Sequence, residues 1–124
     1  MGYYNDVGLC LSKSAIELME EKLGRESLNH CKQVMRLLAS AKRHLVDSES
    51  GAQLWYWEGK RWNEFDDHTP EIKFIDRLFY ELDEEDYLFV RCGENLQDNV
   101  WDGDFWGNPF DLELERRVVF HEAA

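Results

Sequence analysis

Leu54-Trp55-Tyr56-Trp57-Glu58-Gly59-Lys60-Arg61-Trp62 holds three of the chain's five tryptophans and decides how the rest is read. Strand side chains alternate, which puts Trp55 and Trp57 on one face. Gly59 supplies the positive φ of a tight turn, so the stretch is expected to be a β-hairpin with Trp62 on the returning strand. Two tryptophans on one strand face are core material for a small domain, and Trp55 and Trp57 are expected to pack inward.

The same stretch divides the charge. Residues 1–62 carry nine Lys/Arg and eight Asp/Glu, a balance of +1, whereas residues 63–124 carry five against eighteen, or −13. A field of that sign repels phosphates and argues against direct nucleic-acid binding. It attracts a basic protein surface and speeds the encounter, with solubility alone as the competing explanation. The length fits one domain spanning residues 1–124. A hydrophobic fraction of 44% is enough for a core, so wholesale disorder is not expected. No apolar run reaches the ~18 to 20 residues of a membrane span. Met1 to Asp6 lacks the basic and apolar regions of a signal peptide, and a soluble cytoplasmic protein is the expectation. Cys10, Cys31 and Cys92 form no CxxC pair, so they are read as reduced thiols rather than as a disulfide framework or zinc site.

Upstream of the tryptophans, residues 3–11 read as a strand with Val7, Leu9 and Leu11 on one face and Cys10 on the other. Ser14 and Glu17 have capping-box spacing for a first helix, with a stripe of Ile16, Met19 and Leu23 and an end at Gly24. Ser27 or Asn29 caps a second helix whose inward stripe is Cys31, Met35, Leu38 and Leu45. Lys32, Arg36, Lys42 and Arg43 fall largely on its opposite face, the one basic surface of the chain. Ser48 to Gly51 is a polar turn, which lets His44 to Val46 pair with residues 52–57.

Downstream, Thr69-Pro70-Glu71 is a helix start with Pro70 at the first helical position. Ile72, Ile75, Phe79 and Leu82 make the buried stripe, widened by Phe74 and Leu78. Four acids, Asp83 to Asp86, oppose the helix dipole and predict a loop. Tyr87 to Cys92 is apolar on both faces and reads as a covered, central strand. Residues 93–110 read as one long loop carrying Trp101, Phe105, Trp106 and Phe110. Residues 111–120 read as a single last strand with Leu112, Leu114, Val118 and Phe120 inward. The order is β-α-α-β-β-β-α-β-β, an α+β fold with a mostly antiparallel sheet and two to three helices packed on one face. A ferredoxin-like βαββαβ core with an extra strand fits that order.

Three segments, MGYYNDVGLCLS (1–12), LWYWEGKRWNEF (54–65) and FIDRLFYELDEEDYLFVRCGEN (74–95), together resemble a group of small proteins encoded in bacteriophage and prophage genomes. The likeness spans nearly the whole chain. It implies a bacterial cytoplasmic setting and an accessory role, and it carries over no site residues.

Chemical motifs are sparse. Asp98, Asp102 and Gly103 sit at positions one, five and six of a calcium loop, but position three is Val100 and position twelve is Pro109, which excludes an EF-hand. His30, His44, His68 and His121 lie at no metal-ligand spacing. There is no GxSxG elbow, P-loop or dinucleotide fingerprint. No catalytic residue, metal or cofactor is therefore expected. Five tryptophans suggest a stacking platform for a sugar or base, weighed against their use as core. The leading expectation is a non-enzymatic interaction protein with an acidic, aromatic-containing face built from Glu84, Glu85, Asp86, Glu94, Asp98, Trp101, Asp102, Asp104 and Trp106. Its partner is a protein, in the sharpest form a basic host protein deceived by nucleic-acid mimicry. A small-ligand, carbohydrate or nucleotide module is the alternative. A homo-oligomer, with the basic helix around Arg36 and Arg43 docked on another copy's acidic half, is the third.

Overall fold

A central strand, β1 (Asn5–Leu11), is flanked on both sides by longer-range partners and organises the molecule. The computed structural model describes residues 5–60, 62, 69–93, 99–114 and 118–121. The expectations placed on Tyr3, Tyr4, His68, Glu94, Asp98 and residues 115–117 lie outside those residues.

Helices α1 (Lys13–Arg25) and α2 (Leu28–Ala39) follow, then β2 (Arg43–Val46), β3 (Gln53–Lys60) and α3 (Pro70–Glu81). The chain continues through β4 (Tyr87–Cys92) and β5 (Asn99–Gly103) to a small pair, β6 (Glu113–Leu114) and β7 (Val118–Val119). The main sheet has the order β2-β3-β1-β4-β5, and every neighbouring pair is antiparallel. Both helical connections skip one strand, β1 to β2 over β3 and β3 to β4 over β1. That is the split βαβ connectivity of a ferredoxin-like core, extended by the edge strand β5. The α+β expectation holds, but the added strand is β5, from the segment expected as a loop, and the expected last strand lies in a separate two-stranded sheet.

Strand alternation builds two cores. Val7, Leu9 and Leu11, with Trp55, Trp57, Tyr87 and Phe89, face the three helices, which contribute Ile16, Met19, Val34, Leu37, Ile75 and Phe79 among others. Cys10, Leu54, Leu88 and Val90 face the other way and are covered by Phe110, Leu112 and Val118 from the C-terminal segment. The covered, two-sided β4 follows from this sandwiching, as its apolar pattern predicts.

The tryptophan stretch is not a hairpin turning at Gly59. It is one continuous strand, β3, and the hairpin lies upstream, between β2 and β3. Its turn is closed by Asp47, whose carboxylate accepts from the Ser50 amide at 3.0 Å and whose carbonyl accepts from the Gly51 amide at 2.8 Å. Gly59 does take a positive φ of 61°, but inside a bulge. Asn5 pairs with Lys60 and Val7 with Trp57, so β3 holds one extra residue there. The Gly59 amide donates to the Asp6 carboxylate at 3.1 Å. Trp62 therefore belongs to no strand, yet it is 1% exposed. Its ring packs against Trp57 at 5.1 Å and Phe89 at 5.5 Å, and its carbonyl accepts from Asn5 at 2.9 Å.

Helix boundaries also differ in instructive ways. Ser12, not Ser14, caps α1: its Oγ accepts from the Ala15 amide at 3.2 Å, and the helix runs past Gly24 to Arg25. Ser27 caps α2 as expected. That helix buries Val34, Leu37 and Leu38, leaves Met35 52% exposed and stops before Leu45, which belongs to β2. The Leu37 carbonyl is turned to the sheet, where it accepts from Trp57 Nε1 at 3.0 Å, and this sets the rotation of α2. Helix α3 starts at Pro70 and buries Ile72, Phe74, Ile75, Leu78 and Phe79. Glu84 to Asp86 form one 3₁₀ turn rather than an open loop, closed by the Asp86 amide donating to the Asp83 carbonyl at 2.9 Å. The expected 93–110 loop contains β5, and the expected last strand is the β6–β7 hairpin, with Leu114 opposite Val118.

Candidate functional site

The end of α3, the acidic 3₁₀ turn and the edge strand β5 enclose a depression of about 510 Å³, lined by Asp76, Phe79, Tyr80, Leu82, Glu84, Tyr87 and Asp102. Its floor is made by the helix and strand that meet there. Phe79 and Tyr87 stack with ring centroids 4.6 Å apart and planes 5° from parallel, and both are nearly buried. Tyr80 lies one residue off the buried stripe of α3, about 100° round the helix, and its side chain is 90% exposed at the rim.

The carboxylates arrive from three elements: Asp76 from α3, Glu84 from the 3₁₀ turn and Asp102 from β5. Asp102 stands opposite Phe89 and therefore points to the helix side of the sheet. The Tyr87 hydroxyl donates to Asp102 Oδ1 at 2.8 Å. Burial, then the hydrogen bond to Asp102 and the negative field of Asp102 and Glu84, hold that hydroxyl well above the usual tyrosine range. It stays protonated at neutral pH and acts as a fixed donor. Among the described residues, the lining carries three carboxylates and no cation.

Gly103 joins the parts. Its φ is +89°, and a Cβ there would come within 2.2 Å of the Tyr87 carbonyl oxygen. The chain folds this close because Asp104 N donates to the Glu84 carbonyl at 2.7 Å and Phe105 N to the Tyr87 carbonyl at 3.1 Å. The 3₁₀ turn and the end of β5 are thus one unit. Beyond it, Asn108 is 4% exposed and organises the following turn, accepting from the Phe110 and Leu112 amides at 3.1 and 2.8 Å.

The structure divides the residues expected from sequence. Glu84 and Asp102 come together in the groove. Glu85 and Asp104 are exposed beside it without lining it. Asp86 has a structural role: its carboxylate accepts from Ser12 Oγ at 2.9 Å and its carbonyl from the Ser12 amide at 2.8 Å, tying the acidic turn to the start of α1. Trp101 stands opposite Val90, on the far face of the sheet from Asp102, and Trp106 is exposed in the turn after β5. Asp76, Phe79, Tyr80, Leu82 and Tyr87 were missed. Tyr80 carried a signal, since it is a large aromatic outside the apolar stripe of an amphipathic helix. Trp55, Trp57 and Trp62 are buried and offer no face to a ligand.

Among the described residues, no group of three or more His, Cys, Asp or Glu side chains is placed to hold a metal ion. No helix there is long and apolar enough to cross a membrane. No family model, curated protein or solved structure matches the chain.

Proposed function

We propose that the protein is a non-enzymatic accessory protein of phage or prophage origin, acting in the bacterial cytoplasm by binding a basic protein partner. The groove at α3 and β5 receives an arginine side chain of that partner. The observation that carries this reading is the pairing of exposed Tyr80 with Glu84 and Asp102 around a floor of stacked aromatic rings. A guanidinium is planar, stacks on a tyrosine face and bonds carboxylates through a rigid fork of donors. The strongly acidic second half of the chain steers a basic surface toward the groove. A phosphate or sulfate ligand meets only like charge there. The phage setting rests on the resemblance of the three quoted segments.

The test is calorimetric titration with an arginine-rich peptide and with the same peptide carrying citrulline, which keeps the shape and loses the charge. The arginine peptide is expected to bind, and the citrulline peptide to bind at least about tenfold more weakly, the equivalent of about 1.4 kcal/mol. The double variant Glu84→Gln/Asp102→Asn is expected to lose the discrimination. Equal binding of the two peptides, or an unaffected double variant, would reject the groove.

A further inference from the structure

The outward face of α2 presents the chemistry that the groove is built to receive. Leu28, Lys32, Met35 and Arg36 fall within about 100° of the helix circumference. Leu28 is 72% and Met35 52% exposed, so two large apolar side chains stand in water beside two cations. Lys22, Arg25 and Lys42 each have an acidic partner in Glu81, Glu21 and Glu58. Among the described residues, Lys32 and Arg36 form no ion pair, and α2 contains no Asp or Glu.

Helices α2 and α3 pack against each other on the same side of the sheet. The basic, apolar face of α2 and the acidic, aromatic groove beside α3 thus belong to one helical layer. We infer that this layer is a self-complementary interface, in which α2 of one copy lies over the groove of a second copy and the exchange is reciprocal. A two-fold axis satisfies both contacts at once and closes the assembly at two, without a filament. Arg36 and Lys32 meet Glu84 and Asp102, while Met35 and Leu28 cover the exposed ring of Tyr80. The inference rests on the groove's preference for a cationic side chain and assigns its occupant in the absence of a foreign partner. A basic partner then binds in competition with the second copy.

Two acidic chains repel at long range, but this need not prevent contact. At about 0.1 M salt the Debye length is about 10 Å, so pairs at contact distance act within it while the net repulsion is screened. At about 1 M salt it falls to about 3 Å and the pairs weaken too.

Sedimentation velocity tests the dimer. The wild-type chain is expected to move from 14.8 kDa toward twice that mass with rising concentration at about 0.1 M salt, and to return to monomer at about 1 M. Lys32→Glu/Arg36→Glu changes only exposed side chains and is expected to be monomeric at both salts with an unchanged circular dichroism spectrum. The same variant has a free groove, so it should bind the arginine-rich peptide at least as tightly as the wild type. A wild type that stays monomeric at about 0.1 M salt, or a charge-reversed variant that still dimerises, would overturn the inference. Loss of peptide binding in the monomeric variant would instead strike at the groove itself, which keeps the two failures apart.

Discussion

Gly103 shows how one residue can position a site it does not line. Its positive φ and the 2.2 Å approach of a hypothetical Cβ to the Tyr87 carbonyl leave no room for a side chain. Gly103→Ala is therefore expected to cost about 3 kcal/mol of stability in urea unfolding, from left-handed strain and overpacking together. It should also loosen the register between Glu84 and Asp102. A second residue-scale consequence concerns alkaline pH. Burial pushes the Cys10 thiol up to about 12, and burial with the field of Asp6 and Glu58 pushes Tyr56 up to about 12. Tyr87 is shifted in the same direction. In each case the folded state holds a proton that the unfolded chain has already released, so stability is full below the unfolded pKa and is lost as pH rises toward the folded one. Urea midpoints are expected to fall steadily from about pH 9 to pH 12. Cys10→Ala should flatten the onset, where Cys10 and the likewise upward-shifted Cys92 contribute ahead of the tyrosines, and an unchanged slope would show that Cys10 is not the group responsible. Sequence could place Cys10 on its own face of β1 by alternation, but the depth of its burial depends on Leu112 and Val118, a hundred residues later. Gly59 illustrates the converse: a positive φ was legible, but a bulge and a turn demand the same glycine.

At the scale of elements, amphipathic stripes were the readable part. Ile16, Met19 and Leu23 on α1, and Ile72, Ile75 and Phe79 on α3, are buried as their spacing predicts. The errors came where a pattern continued past a boundary that spacing does not mark. The stripe expected for α2 runs on to Leu45, although the helix ends at Ala39, and it places Met35 inward where Val34 and Leu37 are buried instead. Residues 111–120 alternate except at Arg116 and Val119, and alternation alone does not separate one strand from a β6–β7 hairpin. The α1 cap is decided by a contact invisible in sequence: Ser12 bonds both the Ala15 amide and, across 74 positions, the carboxylate of Asp86. Ser12→Ala is accordingly expected to lower stability by about 1 to 2 kcal/mol, whereas Ser14→Ala should stay within about 0.5 kcal/mol. Chemical denaturation of the two variants compares the caps directly, and equal losses would restore the capping box at Ser14.

For the molecule as a whole, charge asymmetry pointed to the acidic half without locating the site in it. The expected set mixed Trp101 with Asp102, which strand register sends to opposite faces of the sheet. Glu84 and Asp102 are eighteen residues apart and meet only because the ferredoxin-like order places β5 beside β4 and the chain then closes on Tyr87. Tyr80 completes the groove from the outer face of a helix whose buried stripe alone was legible in the sequence. The tryptophan stretch supplies Trp55 and Trp57 to the interior as expected, and Trp62 with them. The proposed working surface is this groove rather than the tryptophans. The most direct measurement is amide shift mapping on the nitrogen-15-labelled chain as an arginine-rich peptide is added. Saturable shifts are expected at Tyr80, Glu84, Tyr87, Asp102 and Gly103, and are expected to be lost in Glu84→Gln/Asp102→Asn. Shifts confined to Trp101, on the other face of the sheet, and to Trp106, in the turn after β5, or none at all, would overturn this reading.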